Sequence, residues 1–256
     1  MNRDEFAAKG AALADKIGVT APSNAPGLAE FAAEAGFASI WARETLPPED
    51  RIIVVLATLT SLQRLPQLRA HIGPALDLGI SARGVQEIIV QCGLYGGLPV
   101  AEEALKVAAT IFTERGLETP ELTAKELAMR GQSMEDLNSE GQRIMAEIHG
   151  DRSQSGYAAP EDPATSALYK VAIEYGYGVI WTRAGLTWRQ RMFVALAAFT
   201  ALRLEATLTK FAQSAIVQGV TREQVIEAIM QTAPYGGFPP ALIGLSQVKP
   251  VLFPEA

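Results

Sequence analysis

The stretch WARETLPPEDR at residues 41–51 returns as WTRAGLTWRQR at residues 181–191. The same shift of 140 positions places QCGLYGGLP at 91–99 on QTAPYGGFP at 231–239, without a gap. Self-similarity of this kind inside one chain indicates a tandem duplication, and the period is too long for a solenoid repeat. The sequence therefore predicts two domain-sized copies of one module.

Both copies have the sequence patterns of helices. Residues 51–63 and 191–204 are mostly apolar and rich in Ala and Leu, which predicts buried helices. Pro66 begins the next helix and Gly79 ends it, because proline suits a first turn and glycine suits the position after the last. Strand signals are weak, since no period-2 run is bounded by hairpin turns. We predict an all-α fold in which two tandem helical modules form a pseudo-dimer.

The duplication divides the chain into four segments. They are N-terminal helices at 1–40, a first module at 41–115 that we predict to be active, a helical linker and loop at 116–165, and a degenerate second module at 166–256. The loop is the stretch 150–163, which is rich in Gly, Ser, Pro and Asp. His149 stands at its edge and is expected at the surface.

Composition and charge exclude several classes of protein. The 256 residues carry a formal net charge of −6 and no basic cluster, so nucleic acid is not an expected partner. Cys92 is the only cysteine, which excludes an intramolecular disulfide and any Cys-x-x-Cys metal or redox site. No stretch approaches the ~20 apolar residues that span a bilayer, and the acidic N-terminus is not a secretory signal. We expect a cytoplasmic protein without membrane contact.

The two copies differ most sharply where His71 of the first becomes Phe211 of the second. Arg64, Gln67 and Arg69 near this histidine are also replaced by neutral residues in the second copy. Gln67 and His71 are four apart and share a helix face, and Arg64 could reach the same side. The first copy therefore keeps a polar, titratable cluster. A lone histidine on an amphipathic helix is nevertheless more often structural or exposed than catalytic, so the pattern leaves its role open.

Glu87, Gln91 and Tyr95 form a polar stripe, spaced by four, on an otherwise apolar helix. Burial of such a stripe without partners would cost roughly several kcal/mol, so it must meet polar groups, water or a ligand. The same stripe recurs in the copy that lacks the histidine, which favours a structural role at the contact between copies as much as a catalytic one. Arg51, which recurs as Arg191, has the same structural alternative.

Four motifs of the first copy follow one another in an order typical of a known family. They are Leu46-x4-Arg51, Leu68-Arg69-x-His71, Gly79-Ile80-Ser81 and Glu87-x3-Gln91-x3-Tyr95-x-Gly97-x-Pro99. In this pattern the chain resembles the carboxymuconolactone decarboxylase family, strongly over 41–112 and clearly over 181–252. The resemblance implies all-helical modules that form rings, commonly hexamers in single-copy enzymes. Three two-copy chains would then make a homotrimer.

The same superfamily contains alkyl-hydroperoxidase-D-like proteins, which carry a Cys-x-x-Cys-x3-His redox motif. Arg64 and Gln67 stand at the two cysteine positions here, and His71 stands at the histidine position. Because a dithiol peroxidase needs thiolates, we predict that the chain is not one.

The resemblance implies a carbon–carbon lyase, specifically a carboxy-lyase that works without metal or organic cofactor. The founding enzyme of the family decarboxylates a carboxylated muconolactone in aromatic compound catabolism. Under the resemblance His71 is the general acid, Glu87 orients or tunes the site, and Tyr95 is an auxiliary hydrogen-bond donor. The substrate-binding residues are then two arginines for the carboxylate and three polar neighbours: Arg51, Arg69, Arg64, Gln67 and Gln91.

The expected partner is a small anionic substrate, a lactone or a β-keto-type acid. Two alternatives stay open, namely a cofactor-free isomerase or hydrolase on a related ring and a non-catalytic oligomeric binding protein. The sequence also leaves open whether the pocket lies within a copy, between copies or between chains. In the latter cases Arg183, Arg191 or Trp181 could complete the site from across the interface.

Overall fold

The computed structural model describes residues 1–20, 24–150, 153 and 163–254, and over these residues the chain is helical without strands. The first half contains α1 (Arg3–Ile17), α2 (Leu28–Phe31), a π-helical segment (Ala32–Trp41), α3 (Pro48–Ser61), α4 (Leu65–Asp77), α5 (Ala82–Gly96) and α6 (Leu98–Glu114). The second contains α7 (Ala124–Met129), α8 (Met134–His149), α9 (Ser166–Val171), a second π-helical segment (Ala172–Tyr177), a 3₁₀ turn (Ile180–Thr182), α10 (Trp188–Leu202), α11 (Glu205–Val217), α12 (Arg222–Gln231), α13 (Ala233–Gly236) and α14 (Phe238–Leu252). The predicted all-α fold class is confirmed.

The helices of the two copies correspond in order, as the duplication predicts. Helices α3, α4 and α6 match α10, α11 and α14, and α5 matches the pair α12 and α13. The pair is broken near Pro234, where the first copy has Leu94, because proline lacks the N–H that continues a helix. Ser81 and Thr221 accept hydrogen bonds from the third residue of the helices they precede, at 3.0 and 3.2 Å.

Helices α3 and α10 pack against each other at the centre of the molecule. Residues 52–57 of α3 and 192–198 of α10 are all fully buried. Burial around the whole circumference of a helix requires neighbours on every side, and each copy supplies one side of the other's central helix. The two copies therefore share one continuous core.

Each π-helical segment is covered by a helix that approaches it very closely. A Cβ atom at Gly10 of α1 would lie 1.9 Å from the Ala33 carbonyl oxygen, and one at Gly141 of α8 would lie 2.4 Å from that of Ile173. Helix α8 thus covers the second copy as α1 covers the first. The domain boundaries drawn from the sequence stay a prediction, and this packing favours a second unit that begins at α8.

The loop predicted at 150–163 lies almost entirely outside the described residues. His149, expected at the surface beside it, is instead buried at the end of α8. No helix in the described part of the chain is long and apolar enough to cross a membrane.

Candidate active site

A cavity of about 470 Å³ lies between the two copies. The first copy contributes one face of α4, with Gln67 and His71, and the segment that leads into and along the first π-helical segment as far as Trp41. The second copy contributes Tyr235 and Phe238 from α13 and α14. Most of the wall is apolar, so a bound molecule would lose much of its contact with water. Residues of both copies therefore line the described cavity.

His71 lies in the wall of this cavity and is only 5 % exposed. Its Nδ1 donates a hydrogen bond to the carbonyl oxygen of Gln67, one turn back on α4, at 2.7 Å. Its Nε2 is buried and has no hydrogen-bond partner among the residues that the structure describes. Burial lowers the pKa of His71, and the hydrogen bond to Gln67 offsets part of that effect. The resting imidazole is therefore neutral at pH 7, with a lone pair on Nε2.

Tyr235 brings the second copy into contact with this imidazole. Its ring meets the His71 ring edge-to-face, with centroids 5.3 Å apart and planes at 87°. Its hydroxyl accepts a hydrogen bond from Trp41 Nε1 at 2.9 Å, and among the described residues no acceptor takes the hydroxyl proton. Burial raises the pKa of Tyr235, so the hydroxyl stays protonated. It is a hydrogen-bond donor available at the cavity.

Tyr95, which the sequence analysis assigned as the donor, occupies the equivalent place on the opposite side of the copy interface. Its ring packs on Phe199 of α10 with centroids 4.5 Å apart, and its hydroxyl accepts a hydrogen bond from Gln91 at 3.1 Å. It does not line the cavity that holds His71. The packing of the copies thus places Tyr235 of the second copy beside His71 of the first, and Tyr95 of the first copy beside Phe199 of the second.

Phe211 stands in the second copy where His71 stands in the first, and aromatic side chains surround it. Its ring centroid lies 4.8 Å from that of His149 and 4.9 Å from that of Phe199. Both nitrogens of His149 have partners, because Nδ1 lies 2.7 Å from Ser214 Oγ and Nε2 lies 2.7 Å from the Tyr177 hydroxyl. This burial is why the expectation of a surface position for His149 is wrong.

Arg51 is fully buried and pairs across the interface between the copies. It donates to Glu227 at 2.8 Å and to Gln231 at 2.9 Å. Arg191 mirrors it, with Glu87 and Gln91 each at 3.1 Å. Three of the sequence-predicted site residues therefore have partners in the other copy, and none of the three lines the cavity with His71: Arg51, Glu87 and Gln91.

Arg64 and Arg69 lie on the outer side of α4. Arg64 is the exposed residue that precedes the helix. Arg69 is about half exposed, donates to Glu114 at 2.5 Å, and borders an open surface groove of about 430 Å³.

Of the eight predicted residues, the structure brings only Gln67 and His71 together in the cavity. Tyr235 was missed, although its recurrence at the position of Tyr95 was a signal for it.

Neither thiol nor metal chemistry has support among the described residues. Burial raises the pKa of Cys92 to about 12, and its Sγ contacts the Ala57 carbonyl oxygen at 3.6 Å. A thiol of this kind is not ionised at neutral pH. No group of three or more His, Cys, Asp or Glu side chains is placed to hold a metal ion in the part of the chain that the structure describes.

A model of the carboxymuconolactone decarboxylase family matches residues 26–110 and 166–249. A 4-carboxymuconolactone decarboxylase of Acinetobacter baylyi is 31 % identical over 96 residues, which cover 38 % of this chain and 71 % of that protein. An uncharacterised 15.0 kDa protein of Paracoccus denitrificans is 32 % identical over 83 residues, 32 % of this chain and 62 % of that one. A nitrosuccinic acid decarboxylase of Metarhizium robertsii is 26 % identical over 103 residues, 40 % of this chain and 72 % of that protein. The chain thus spans slightly less than two thirds of the Paracoccus relative and somewhat more of the other two.

Proposed function

The chain belongs to the carboxymuconolactone decarboxylase family, in two tandem copies, and on that premise we propose that it is a cofactor-independent carboxy-lyase whose reaction takes place in the cavity between the copies. The observation that carries the proposal is the buried Nε2 of His71 in the cavity wall, for which the described part of the chain supplies no partner. A buried polar atom left without a partner is unfavourable unless a ligand or water completes it. The decarboxylases among the relatives support the reaction type.

The proposed substrate is a small lactone or β-keto-type acid. Its bond to the carboxylate carbon breaks, CO₂ leaves, and the electron pair stays on the substrate as an enolate or dienolate. A proton then bonds to the carbanion carbon. Because these steps need only a proton donor and a group that stabilises an oxyanion, the side chains of the cavity are sufficient equipment.

His71 supplies the proton in this scheme. The Gln67 carbonyl holds Nδ1–H in both charge states, so the proton that moves is the one on Nε2. The resting imidazole is neutral, and an entering carboxylate favours its protonated form. The imidazolium then delivers that proton to the carbanion, and solvent restores it.

Tyr235 takes the donor role that the sequence analysis gave to Tyr95. Its free hydroxyl proton can stabilise the enolate oxygen, while the hydrogen bond from Trp41 polarises the hydroxyl. Arg51 and Glu87 act as positioning residues in this proposal, since their ion pairs hold the copies in the register that brings Tyr235 to His71.

One observation favours a second candidate function. Because burial lowers the pKa of His71, the free protein presents a base and not an acid at neutral pH. A base in a largely apolar cavity suits abstraction of a proton next to a carbonyl, which is the reaction of a cofactor-free isomerase. Release of CO₂ from the substrate distinguishes the two functions.

The test is CO₂ release from three acids: 4-carboxymuconolactone, nitrosuccinic acid and benzoylacetate. His71→Phe places in the first copy the residue found in the second, and His71→Gln keeps a polar side chain that cannot titrate. We expect turnover of the best acid to fall by about 10²–10⁴ in both variants, as for loss of a general acid. Turnover at the wild-type rate in both would remove His71 from the mechanism, and no CO₂ from any acid would leave the isomerase or a binding protein.

The assembly and setting implied by family membership stay predictions. They are a homotrimer of two-copy chains, a role in aromatic compound catabolism and a cytoplasmic location. A solution mass equal to one chain would contradict the trimer.

A further inference from the structure

The described lining of the cavity contains no Asp, Glu, Lys or Arg side chain. Its polar groups are the His71 imidazole, the Tyr235 hydroxyl and a few neutral neighbours: Thr20, Asn24, Gln67 and the indole N–H of Trp41. The sequence between the lining residues Thr20 and Asn24 is Ala-Pro-Ser, which contains no charged residue. A carboxylate that enters this cavity therefore meets no permanent counter-charge.

The charged side chains of α4 and the buried arginine of α3 are engaged elsewhere. On α4 itself, Arg69 pairs with Glu114 of α6 at 2.5 Å, and Asp77 pairs with Arg115 beyond the end of α6 at 2.7 Å. On α3, Arg51 pairs with the second copy.

Two further titratable groups near α4 have raised pKa values and are neutral at pH 7. The Cys92 thiol of α5 contacts the backbone of α3, and burial raises its pKa. Tyr235 of α13, which touches the imidazole directly, has its pKa raised by burial as well. His71 is consequently the one group in the described cavity wall that can become a cation near neutral pH.

We propose that the cavity takes a monocarboxylate with an apolar body, and that this carboxylate binds together with one proton, shared between it and Nε2 of His71. An ionised carboxylate in an apolar site is strongly unfavourable unless it is paired. The imidazolium–carboxylate pair is neutral overall and gives the orphaned Nε2 its partner. A second carboxylate inside the cavity would have no such partner.

This inference deepens the proposed function and rests on it for the chemical step. The two acids named for the relatives, 4-carboxymuconolactone and nitrosuccinic acid, each carry two carboxyl groups. The uncharged wall therefore selects a different acid here, one that has a single carboxyl group and a ring or chain to fill the apolar space.

The test is isothermal titration calorimetry of the full chain with benzoate, benzamide and phthalate. Titrations in two buffers of different ionisation enthalpy count the protons taken up. We expect benzoate to bind with uptake of about one proton at pH 8, and its affinity to fall about tenfold per pH unit above neutrality, as linkage requires. Benzamide should bind without pH dependence, and phthalate should bind at least about tenfold more weakly than benzoate.

Two variants connect the effect to the imidazole. His71→Phe and His71→Gln should each weaken benzoate binding by about tenfold or more and leave benzamide binding nearly unchanged, because benzamide brings no charge. If benzoate does not bind at millimolar concentration, binds without proton uptake, or binds equally well to both variants, the inference is wrong. Phthalate that binds as tightly as benzoate would also overturn it.

The outcome is separable from that of the proposed function. Proton-linked binding of benzoate without CO₂ release from any acid would contradict the lyase and support the binding mode. CO₂ release with benzoate binding that takes up no proton would support the lyase and refute the binding mode.

Discussion

Replacement of the two equivalent tyrosines by phenylalanine provides a direct test of the site. In the wild-type protein the Trp41 indole N–H donates to the Tyr235 hydroxyl at 2.9 Å, and Tyr235→Phe removes that acceptor. Tyr95→Phe removes one of two acceptors of Gln91 Nε2, the other being the Arg191 carbonyl oxygen at 2.9 Å. A buried donor left unsatisfied costs about 1–3 kcal/mol, so each variant should lose stability in that range. The two substitutions are thus similar in chemistry and in their structural cost.

Their effects on turnover should differ, because only Tyr235 lines the cavity and touches His71. Loss of one oxyanion donor lowers kcat by about 10²–10³, or about 2.7–4 kcal/mol of transition-state stabilisation. We expect that loss for Tyr235→Phe with a small change in KM, since the donor acts on charge that develops in the reaction. Tyr95→Phe should change kcat little, because its hydroxyl lies in the other half of the interface.

The assay is initial-rate CO₂ release from the best acid at a temperature well below the unfolding transitions of all three proteins. Urea unfolding of the same samples gives the stability cost of each substitution. Equal losses of kcat in the two variants would mean that the tyrosines act through the interface alone. A loss in Tyr95→Phe only would return the donor role to the residue that the sequence analysis chose.

Three other predictions concern stability. Arg51→Met should lower the free energy of unfolding by about 3–5 kcal/mol in urea titrations, because it leaves the buried Glu227 carboxylate with one ion-pair partner fewer. A change below about 1 kcal/mol would contradict this prediction. Burial lowers the pKa of His71 from its ordinary 6.5, so as pH falls below 6.5 the unfolded chain binds a proton before the folded protein does, and the wild-type protein loses stability. His71→Phe should lack this part of the loss. Identical slopes of the free energy of unfolding against pH for the two proteins would refute the prediction. Gly10→Ala should destabilise by about 1–3 kcal/mol and lower Tm, because its Cβ would lie 1.9 Å from the Ala33 carbonyl oxygen; an unchanged Tm would show that α1 can shift without cost.

Much of the fold could be read from the sequence because the signals for helices are local. The apolar run of α3, the prolines at helix starts and the glycine after α4 act within a few residues of where they stand. The apolar run and the glycine recur in the second copy, whereas Pro47 and Pro66 are replaced by Thr187 and Ala206. The recurring signals were enough to predict the helix order of both copies. His149 shows where local reasoning fails. It stands beside a stretch rich in loop residues, yet it is the last residue of a helix that packs into the core.

The site was predicted only in part, because residues of both copies line the cavity around His71. His71 stood out because its counterpart is Phe211, and that comparison needs no coordinates. The roles of the recurrent residues could not be separated, since a polar stripe that must find partners reads the same whether those partners are a substrate or the other copy. The ion pairs of Arg51 and Arg191 show that the partners are in the other copy.

The sequence by itself determined that the chain is two copies of one helical module, that it belongs to its family, and that one copy keeps a histidine which the other lacks. Only the tertiary structure decided which tyrosine meets that histidine, since His71 and Tyr235 are distant in sequence and no local pattern encodes their contact. It also decided that the described cavity wall is uncharged, because Arg69 and Arg51 pair with carboxylates outside the cavity. Helix patterns depend on neighbours along the chain, whereas charge pairing depends on neighbours in space, and the packing of the two copies sets those.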